Sequence, residues 1–320
     1  MKKIALIYMG GTFGCIGEPL QPLAADLFIP KLRDILPIQL EIDCLVAPSI
    51  KDSSACEARD WLQLAQQIQS LKNEYQYFVV IHGTDTLSYA AAVLSHVIGQ
   101  QAHVVLTGSQ YPLLNSQGND IRQFSDALEN LHHALNAVLN CPKGVFVSFH
   151  AKLLHGRTVL KQHTTELDAF VGQQQLDALH QPDGFEVTDT MLAQSNHFNC
   201  MSLMLQPLGL LQRHNQLRTL SSQPPDFLIL QGFGVGNFSA DTAIVQQLQQ
   251  LFEQGCVSIM TTQVPFGGIR QDYAVSDWMQ QARLIQSDSY GHADLYAKAL
   301  KMYLQYPSAD LRWAHWHDAT

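Results

Sequence analysis

The chain has 320 residues, of which 46% are hydrophobic and 15% are charged, and its formal net charge is −9 at pH 7. This length allows about two domains, and an acidic chain without a run of Lys or Arg is not expected to bind nucleic acid or an anionic membrane. No apolar stretch approaches the ~20 residues of a spanning helix, and the amino-terminus lacks a secretory signal pattern. The six cysteines lack C-x-x-C spacing, which favours free thiols and predicts a cytoplasmic protein.

The first predicted strand, residues 4–8, ends abruptly in two glycines and a threonine. It is β-branched and aliphatic without polar alternation, which is typical of a buried parallel strand. Glycines at the carboxyl end of a strand let backbone amides approach a ligand, and ligands bind at such ends in open α/β sheets. Gly10, Gly11 and Thr12 therefore predict either a ligand site or a tight turn whose threonine bonds its own backbone.

The first half of the chain then alternates between strand and helix. Residues 15–25, with Pro19 and Pro22, predict a loop, and a helix is expected over 26–36 with Pro30 in its first turn. The other elements predicted here are strands over 40–46, 77–81, 104–106 and 144–149 and helices over 57–71, 88–98 and 121–139. This alternation indicates right-handed βαβ units and a mostly parallel sheet.

Periodicity fades between Val171 and Asn199, where we predict a connector at residues 186–200. Alternation then restarts, with strands over 201–205, 227–230 and 257–260 and helices near 210 and over 241–253 and 294–306. The sequence thus predicts an α/β protein with a larger amino-terminal domain over residues 1–185 and a smaller carboxy-terminal α/β domain over 201–320.

Two of the predicted strand ends present a threonine beside a glycine, Gly11-Thr12 and Gly83-Thr84, and Asp85 follows the second at once. Parallel strands of one sheet place such ends side by side, so two hydroxyls and a carboxylate are expected to converge. A hydroxyl is a weak nucleophile and needs a base. Lys161, just beyond the fourth strand, is the candidate base once its ammonium is deprotonated beside a carboxylate; a solvated surface lysine is the alternative interpretation.

Five segments carry a family resemblance. In chain order they are Met9-Gly10-Gly11-Thr12-Phe13-Gly14, Asp52-Ser53-Ser54 with Trp61 after it, Val80-Ile81-His82-Gly83-Thr84-Asp85-Thr86-Leu87, the segment from Arg157 to Thr165 around Lys161, and Gly234-Val235-Gly236-Asn237. In these motifs and their order the chain resembles the asparaginase/glutaminase amidohydrolases, and within them the bacterial cytoplasmic (type I) L-asparaginases. The resemblance covers essentially the whole chain and implies a two-domain asparaginase-like fold.

The resemblance implies hydrolysis of L-asparagine to L-aspartate and ammonia in two steps. Thr12 would attack the side-chain amide carbon and form an acyl-enzyme, and Thr84, Asp85 and Lys161 would form a second triad that orients a water or the nucleophile. Backbone amides near Gly11 and Thr84 would stabilise the oxyanion. No metal or organic cofactor is implied, and the expected assembly is a homodimer or homotetramer.

The same resemblance implies a site for a small free amino acid. The implied substrate-binding residues are Gly11, Asp52, Ser53, Ser54, Gly83, Thr84 and Asp85. Within this set, Ser53 would hold the α-carboxylate and Asp85 the α-ammonium group.

The chain departs from the family pattern after Thr12. A family tyrosine about ten residues after the nucleophile is replaced here by Leu20, which cannot donate or relay a proton. Tyr273, from a neighbouring region or subunit, is our candidate for the missing hydroxyl relay. Gln231 and Val264 stand where some type I enzymes have an arginine and a cysteine of an allosteric site, which argues against such a site here.

Two alternative functions stay open. The predicted loop over residues 15–25 is a candidate lid and looks short for the family, which favours an amidohydrolase that prefers glutamine, D-asparagine or another small amide. The missing tyrosine also favours a weakly catalytic relative that binds an acidic amino acid.

Overall fold

The computed structural model describes residues 2–174, 179, 181–267, 269 and 276–318. The strands among these residues are β1 Lys3–Tyr8, β2 Cys15–Ile16, β3 Gln21–Pro22, β4 Glu41–Val46, β5 Tyr77–Ile81, β6 His103–Thr107, β7 Gly144–Phe149, β8 Lys152–His155, β9 Leu160–Lys161, β10 Phe170–Val171, β11 Cys200–Met204, β12 Phe227–Gly232, β13 Val257–Thr262 and β14 Ile285–Gln286. The helices are α1 Ala25–Asp34, α2 Ala58–Leu71, α3 Leu87–Ile98, α4 Ala127–Asn140, α5 Asp189–Ser195, α6 Leu210–Leu220, α7 Thr242–Glu253, α8 Ser276–Gln281, α9 His292–Gln305 and α10 Ala309–Ala314.

The chain divides into two compact units, Met1–Leu192 and Ala193–Thr320. The segment predicted as a connector, residues 186–200, contains helix α5. Among the helices that the structure describes, none is long and apolar enough to cross a membrane.

The first unit is built on a six-stranded sheet in the order β4-β1-β5-β6-β7-β8. All neighbouring strands are parallel except β7 and β8, which pair antiparallel. The prediction of an α/β fold with a mostly parallel sheet is therefore confirmed. Tyr8 pairs with Ile81 and Ile81 with Thr107, so the carboxyl ends of β1, β5 and β6 lie side by side.

Both faces of the central strands are buried, which explains their uninterrupted apolar runs. In β1, Ile4, Leu6 and Tyr8 belong to one core cluster with residues of α1 and α4. Ala5 and Ile7 alternate with them and are also inaccessible to solvent. Each buried large apolar side chain of this kind contributes about 1.5–3 kcal/mol relative to its exposed state.

The second unit repeats this arrangement on a smaller scale, with four parallel strands in the order β11-β12-β13-β14. Leu228 and Leu230 of β12 pack in a cluster with α7, whereas Phe227 and Ile229 pack in a second cluster with α9. Alternate residues of one strand thus face helices on opposite sides of the sheet.

Three local predictions were wrong. Pro30 lies inside α1 rather than in its first turn, where burial of Phe28, Ile29 and Leu32 against the sheet offsets the lost backbone hydrogen bond. The predicted loop over 15–25 contains the β2–β3 hairpin. Helix α4 begins at Ala127 and not at residue 121, because Phe124 takes a left-handed conformation with φ of 58°.

Candidate active site

The turn after β1 is in backbone contact with the turn after β5. Gly10 and Gly11 have φ values of 94° and 86°, a region that favours glycine. A Cβ added to Gly11 would lie 2.3 Å from the Cα atom of Gly83. Thr12 then starts a short 3-10 helix, Thr12–Gly14. The structure therefore brings together the two glycine-threonine turns, and no side chain fits between their glycines.

Lys161 connects the two polar residues that follow Gly83. Its Nζ atom donates to Thr84 Oγ1 and to Asp85 Oδ1, both at 2.9 Å. The Lys161 side chain is 21% exposed, so this lysine is mostly buried rather than freely solvated. Its backbone is fixed by antiparallel pairing with Phe170, whose ring packs against Phe149 at a centroid distance of 4.8 Å. Thr84, Asp85 and Lys161 thus form one hydrogen-bonded group.

The segment after β4 brings Ser53 to the same place. Ser53 is buried, and its Oγ atom accepts from the backbone N–H of Asp85 at 3.3 Å. Its carbonyl oxygen accepts from Thr86 Oγ1 at 2.6 Å. A Cβ on Gly83 would lie 2.5 Å from Ser53 Oγ, so glycine at position 83 is what admits this hydroxyl.

Asp52 and Ser54 are hydrogen-bonded to each other. The Asp52 carboxylate caps the 3-10 helix Ser53–Ala55 and accepts from both the hydroxyl and the backbone N–H of Ser54, at 2.7 and 2.8 Å. These two hydrogen bonds, the hydroxyl first, lower the pKa of the Asp52 carboxyl below its ordinary value. These hydrogen bonds hold the turn that carries Ser53, and the substrate-binding roles of Asp52 and Ser54 stay predictions.

His82 supports the Gly83-Thr84 turn from inside the core. It is fully buried; its Nε2 atom accepts from Trp61 Nε1 at 3.1 Å, and its Nδ1 atom lies 2.8 Å from the carbonyl oxygen of Gly83. The indole N–H can only donate, which leaves the imidazole proton on Nδ1, where it donates to the Gly83 carbonyl. Burial lowers the pKa of His82 to about 4, so the ring is neutral and orients the Gly83-Thr84 peptide.

Because His82 is buried, we expect the free energy of unfolding to depend on pH. Between pH 6.5 and pH 4 the unfolded chain binds a proton at His82 that the folded protein does not, so the stability that His82 contributes is complete above pH 6.5 and is lost as pH falls. We expect the contribution to be about 2 kcal/mol smaller at pH 5 than at pH 7. Urea unfolding of wild type and His82→Gln at both pH values measures it, because the variant lacks this part of the dependence.

The exposed His132 provides the control for this measurement. The free energy of unfolding of His132→Gln should differ between pH 7 and pH 5 by as much as that of the wild type. If His82→Gln also keeps this difference, the buried imidazole is not its source.

The Thr12 hydroxyl has no hydrogen-bond partner within the part of the chain that the structure describes. Leu20, in the position of the family's tyrosine, lies in the turn of the β2–β3 hairpin and is 48% exposed. Tyr273, predicted as the hydroxyl relay, lies outside the described residues. Among the described residues, the Thr12 hydroxyl is therefore unpartnered, whereas Thr84, Asp85 and Lys161 are joined by hydrogen bonds.

The phenol of Tyr8 lies against Gly14, two residues after Thr12. Tyr8 is inaccessible to solvent and packs on Phe28, with ring centroids 4.7 Å apart. Its hydroxyl has no hydrogen-bond partner among the described residues, and burial raises its pKa. A Cβ on Gly14 would lie 1.9 Å from this hydroxyl. The phenol therefore occupies the space that a side chain at position 14 would need.

In the second unit, the two positions compared with an allosteric site are close to strand ends. Gln231 donates through Nε2 to Ser202 Oγ at 2.7 Å, and Val264 is 45% exposed. Among the residues that the structure describes, no group of three or more His, Cys, Asp or Glu side chains is placed to hold a metal ion.

The sequence had not indicated His82 or Gln110 as functional. Gln110 follows β6 and approaches Thr84, with 3.5 Å between Thr84 Oγ1 and Gln110 Oε1. The sequence signal that could have indicated Gln110 is its position in Thr107-Gly108-Ser109-Gln110. This segment follows β6, the strand that pairs with β5. Polar residues at adjacent carboxyl ends of parallel strands are expected to meet.

Comparisons with known proteins show the family to which the chain belongs. The family model described as asparaginase, N-terminal, matches residues 3–188. L-asparaginase 1 of Escherichia coli (strain K12) is 29% identical over 267 residues, which cover 80% of this chain and 75% of that protein. A 60 kDa lysophospholipase of Mus musculus is 27% identical over 325 residues, 89% of this chain and 55% of the mouse protein.

Among solved structures, L-asparaginase I of Vibrio cholerae O1 biovar eltor has the same fold. Its TM-score is 0.81 at 23% sequence identity, and the match covers 100% of this chain and 98% of that one.

Proposed function

The chain belongs to the asparaginase family, and on that basis we propose that this amidohydrolase converts L-asparagine to L-aspartate and ammonia through an acyl-enzyme on Thr12. The observation that carries the proposal is the position of Lys161, whose Nζ atom is hydrogen-bonded to both Thr84 and Asp85 beside the Thr12 turn. This arrangement supplies a nucleophile, a hydroxyl relay and a base within one crevice.

In the proposed first step, the Thr12 hydroxyl attacks the side-chain amide carbon of the substrate. Its proton passes through the Thr84 hydroxyl toward Lys161 Nζ, and the leaving nitrogen takes up a proton and departs as ammonia. The oxyanion that forms is stabilised by backbone N–H groups of the two glycine-threonine turns. One such donor contributes about 2.7–4 kcal/mol to the barrier in a comparable site.

In the proposed second step, water hydrolyses the ester. The Thr84 hydroxyl, held by Lys161, orients this water against the acyl carbon. Thr12 regains its proton, and aspartate is released.

Recognition of the substrate's α-groups uses Asp85 and Ser53. Lys161 occupies Oδ1 of Asp85, which leaves Oδ2 for the α-ammonium group. The Ser53 hydroxyl is available to the α-carboxylate: its oxygen accepts from Asp85 N–H, and its hydrogen donates to no group among the described residues. This charge pattern favours a free amino acid over a peptide-linked residue.

One observation favours a second function, binding of an acidic amino acid with weak catalysis. The Thr12 hydroxyl lacks a partner among the described residues, and Leu20 replaces the phenol that would activate it. A protein of this kind would bind aspartate tightly and turn over amides slowly.

Ammonia release from L-asparagine, L-glutamine and D-asparagine distinguishes these functions. We expect the largest kcat/KM for L-asparagine. A larger value for either of the other amides would change the substrate but keep the reaction. Aspartate binding by calorimetry without turnover of any amide would refute the hydrolase and support the binding function.

We propose further that the protein forms a homodimer or homotetramer and acts in the cytoplasm, as the resemblance implies. Size-exclusion chromatography with light scattering measures the first, and cell fractionation the second.

A further inference from the structure

We propose that Lys152 and Asp168 are positioning residues for this reaction: their ion pair holds the β9–β10 hairpin, which carries Lys161, against the edge of the six-stranded sheet. The inference rests on the proposed function and deepens it. Neither residue of the pair belongs to the family motifs or to the predicted triad.

The β9–β10 hairpin is too short to fix the position of Lys161 by itself. Two pairs of residues face each other in it, Lys161 with Phe170 and Leu160 with Val171. These two strands form a sheet of their own. Because an isolated two-stranded hairpin is only marginally stable in water, the position of Lys161 depends on what the hairpin contacts in the rest of the unit.

Two contacts join the hairpin to β7 and β8, at the edge of the six-stranded sheet. One is apolar: the Phe170 ring packs against Phe149 of β7, with ring centroids 4.8 Å apart. The other is ionic: Lys152 Nζ of β8 lies 2.6 Å from each carboxylate oxygen of Asp168. Phe149 and Lys152 face each other in the antiparallel pairing of β7 with β8. Both contacts therefore start from one residue pair of the sheet.

The ion pair acts at the loop end of the hairpin. Residues 162–167 join the two strands and are all exposed, so burial does not hold them in place. Asp168 comes directly after them, and its ion pair ties this end to β8. Without the pair, the hairpin is freer to tilt about the Phe170 contact. The hydrogen bonds of Lys161 Nζ, both 2.9 Å long, tolerate a displacement of roughly 0.3 Å, so a tilt would weaken them.

The exposure of the pair suits a role in geometry more than one in stability. The side chains of Lys152 and Asp168 are 28% and 42% exposed, and ion pairs that are this exposed add little to the free energy of unfolding. Contact with both carboxylate oxygens nevertheless gives the pair a defined direction. Loss of the pair is therefore expected to change the site more than the fold.

The test uses Lys152→Met, which keeps an unbranched side chain of similar length but removes the charge. We expect kcat for asparagine to fall about 10-fold, because a small misplacement of a catalytic group has a cost of this order. KM should stay within about twofold, since Lys152 does not hold the substrate. Lys152→Arg, whose guanidinium also pairs with a carboxylate, should keep kcat within about twofold of wild type.

Lys72→Met is the matched control. Lys72 forms an exposed ion pair with Glu186 at 2.5 Å, and it lies between α2 and the start of β5, at the opposite edge of the sheet from the strand ends that form the site. Loss of this pair should leave kcat unchanged.

Asp168→Asn removes the other charge, and a double-mutant cycle shows whether the two substitutions break the same contact. If Lys152 and Asp168 act as a pair, the double variant has the kcat of either single variant. Losses that multiply, an unchanged kcat in both single variants, or a loss confined to KM would overturn the proposal. Should thermal unfolding show that Lys152→Met folds poorly, Asp168→Asn replaces it and should give the same fall in kcat.

Failure of the positioning role can be distinguished from failure of the proposed function. Wild-type protein without amide turnover refutes the proposed function and, with it, the role of the ion pair. Active wild type with an unaffected kcat in Lys152→Met and Asp168→Asn refutes only the positioning role.

Discussion

Thr12→Ala is expected to lower kcat for asparagine hydrolysis by at least about 10⁴-fold, because the variant has no hydroxyl to form the acyl-enzyme. Folding should be unaffected, since the Thr12 hydroxyl has no partner among the described residues and its loss leaves no polar group unsatisfied. Ammonia release measures the first expectation, and thermal unfolding measures the second.

The control for this variant is Thr12→Ser, which retains a hydroxyl at the same position. It should keep far more activity than Thr12→Ala. Turnover by Thr12→Ala close to that of wild type would exclude Thr12 as the nucleophile and would leave the Lys161 group to act on water directly.

Gly11→Ala is expected to cost about 3 kcal/mol or more in stability and to abolish measurable turnover. Two effects add. The φ of 86° and ψ of −177° belong to a region that only glycine adopts freely, and the new methyl carbon would lie 2.3 Å from the Gly83 Cα atom. Because the obstacle is backbone, it cannot rotate away, and the two turns must separate. Urea unfolding together with an ammonia assay measures both losses.

Gly255→Ala separates these two effects. Gly255 has a φ of 99°, but nothing lies within 4 Å of a Cβ placed there. Its substitution should therefore show the conformational strain alone, roughly 1 kcal/mol, with full activity. If Gly11→Ala is no more damaging than Gly255→Ala, the contact with Gly83 does not constrain the site.

The sequence predicted the sheet and the positions of its strand ends because central parallel strands are apolar throughout. The runs before Gly10 and before His82 are of this kind, and glycine marks where each stops. The family resemblance drawn from the motifs is confirmed by the match over residues 3–188. The roles of Thr12, Thr84, Asp85 and Lys161 stay predictions until the variants are measured.

The route of the chain to Lys161 was not predictable in the same way. Strand β8 follows β7 through a two-residue turn, His150-Ala151, in which both residues have positive φ values, 46° and 57°. Such hairpin turns normally carry Asn-Gly or Asp-Gly, so this one has no sequence signal. A hydrogen bond from His150 N–H to Asn130 Oδ1, at 2.9 Å, is distant in sequence and helps to hold it.

Gln110 and His82 show a second limit of prediction from the sequence. Glutamine is abundant on the surface of this chain, and residue type does not distinguish one that bridges Thr84 to Thr164 from one that is solvated. The neutral state of His82 comes from its burial, and its tautomer is set by an indole 21 residues away in sequence. Both roles come from tertiary contacts, which local pattern does not encode.

Because Tyr8 lies against Gly14, the residues that position 14 tolerates depend on the residue at position 8, in evolution as in the laboratory. A side chain at position 14 collides with the phenol hydroxyl and also with the ring carbon that bears it, 2.7 Å away, so Tyr8→Phe alone does not relieve the overlap. Position 8 must first accept a smaller residue, which opens a cavity beside Phe28. A smaller residue at position 8 therefore has to precede any side chain at position 14, and a library that varies position 14 alone is expected to lose stability at this overlap.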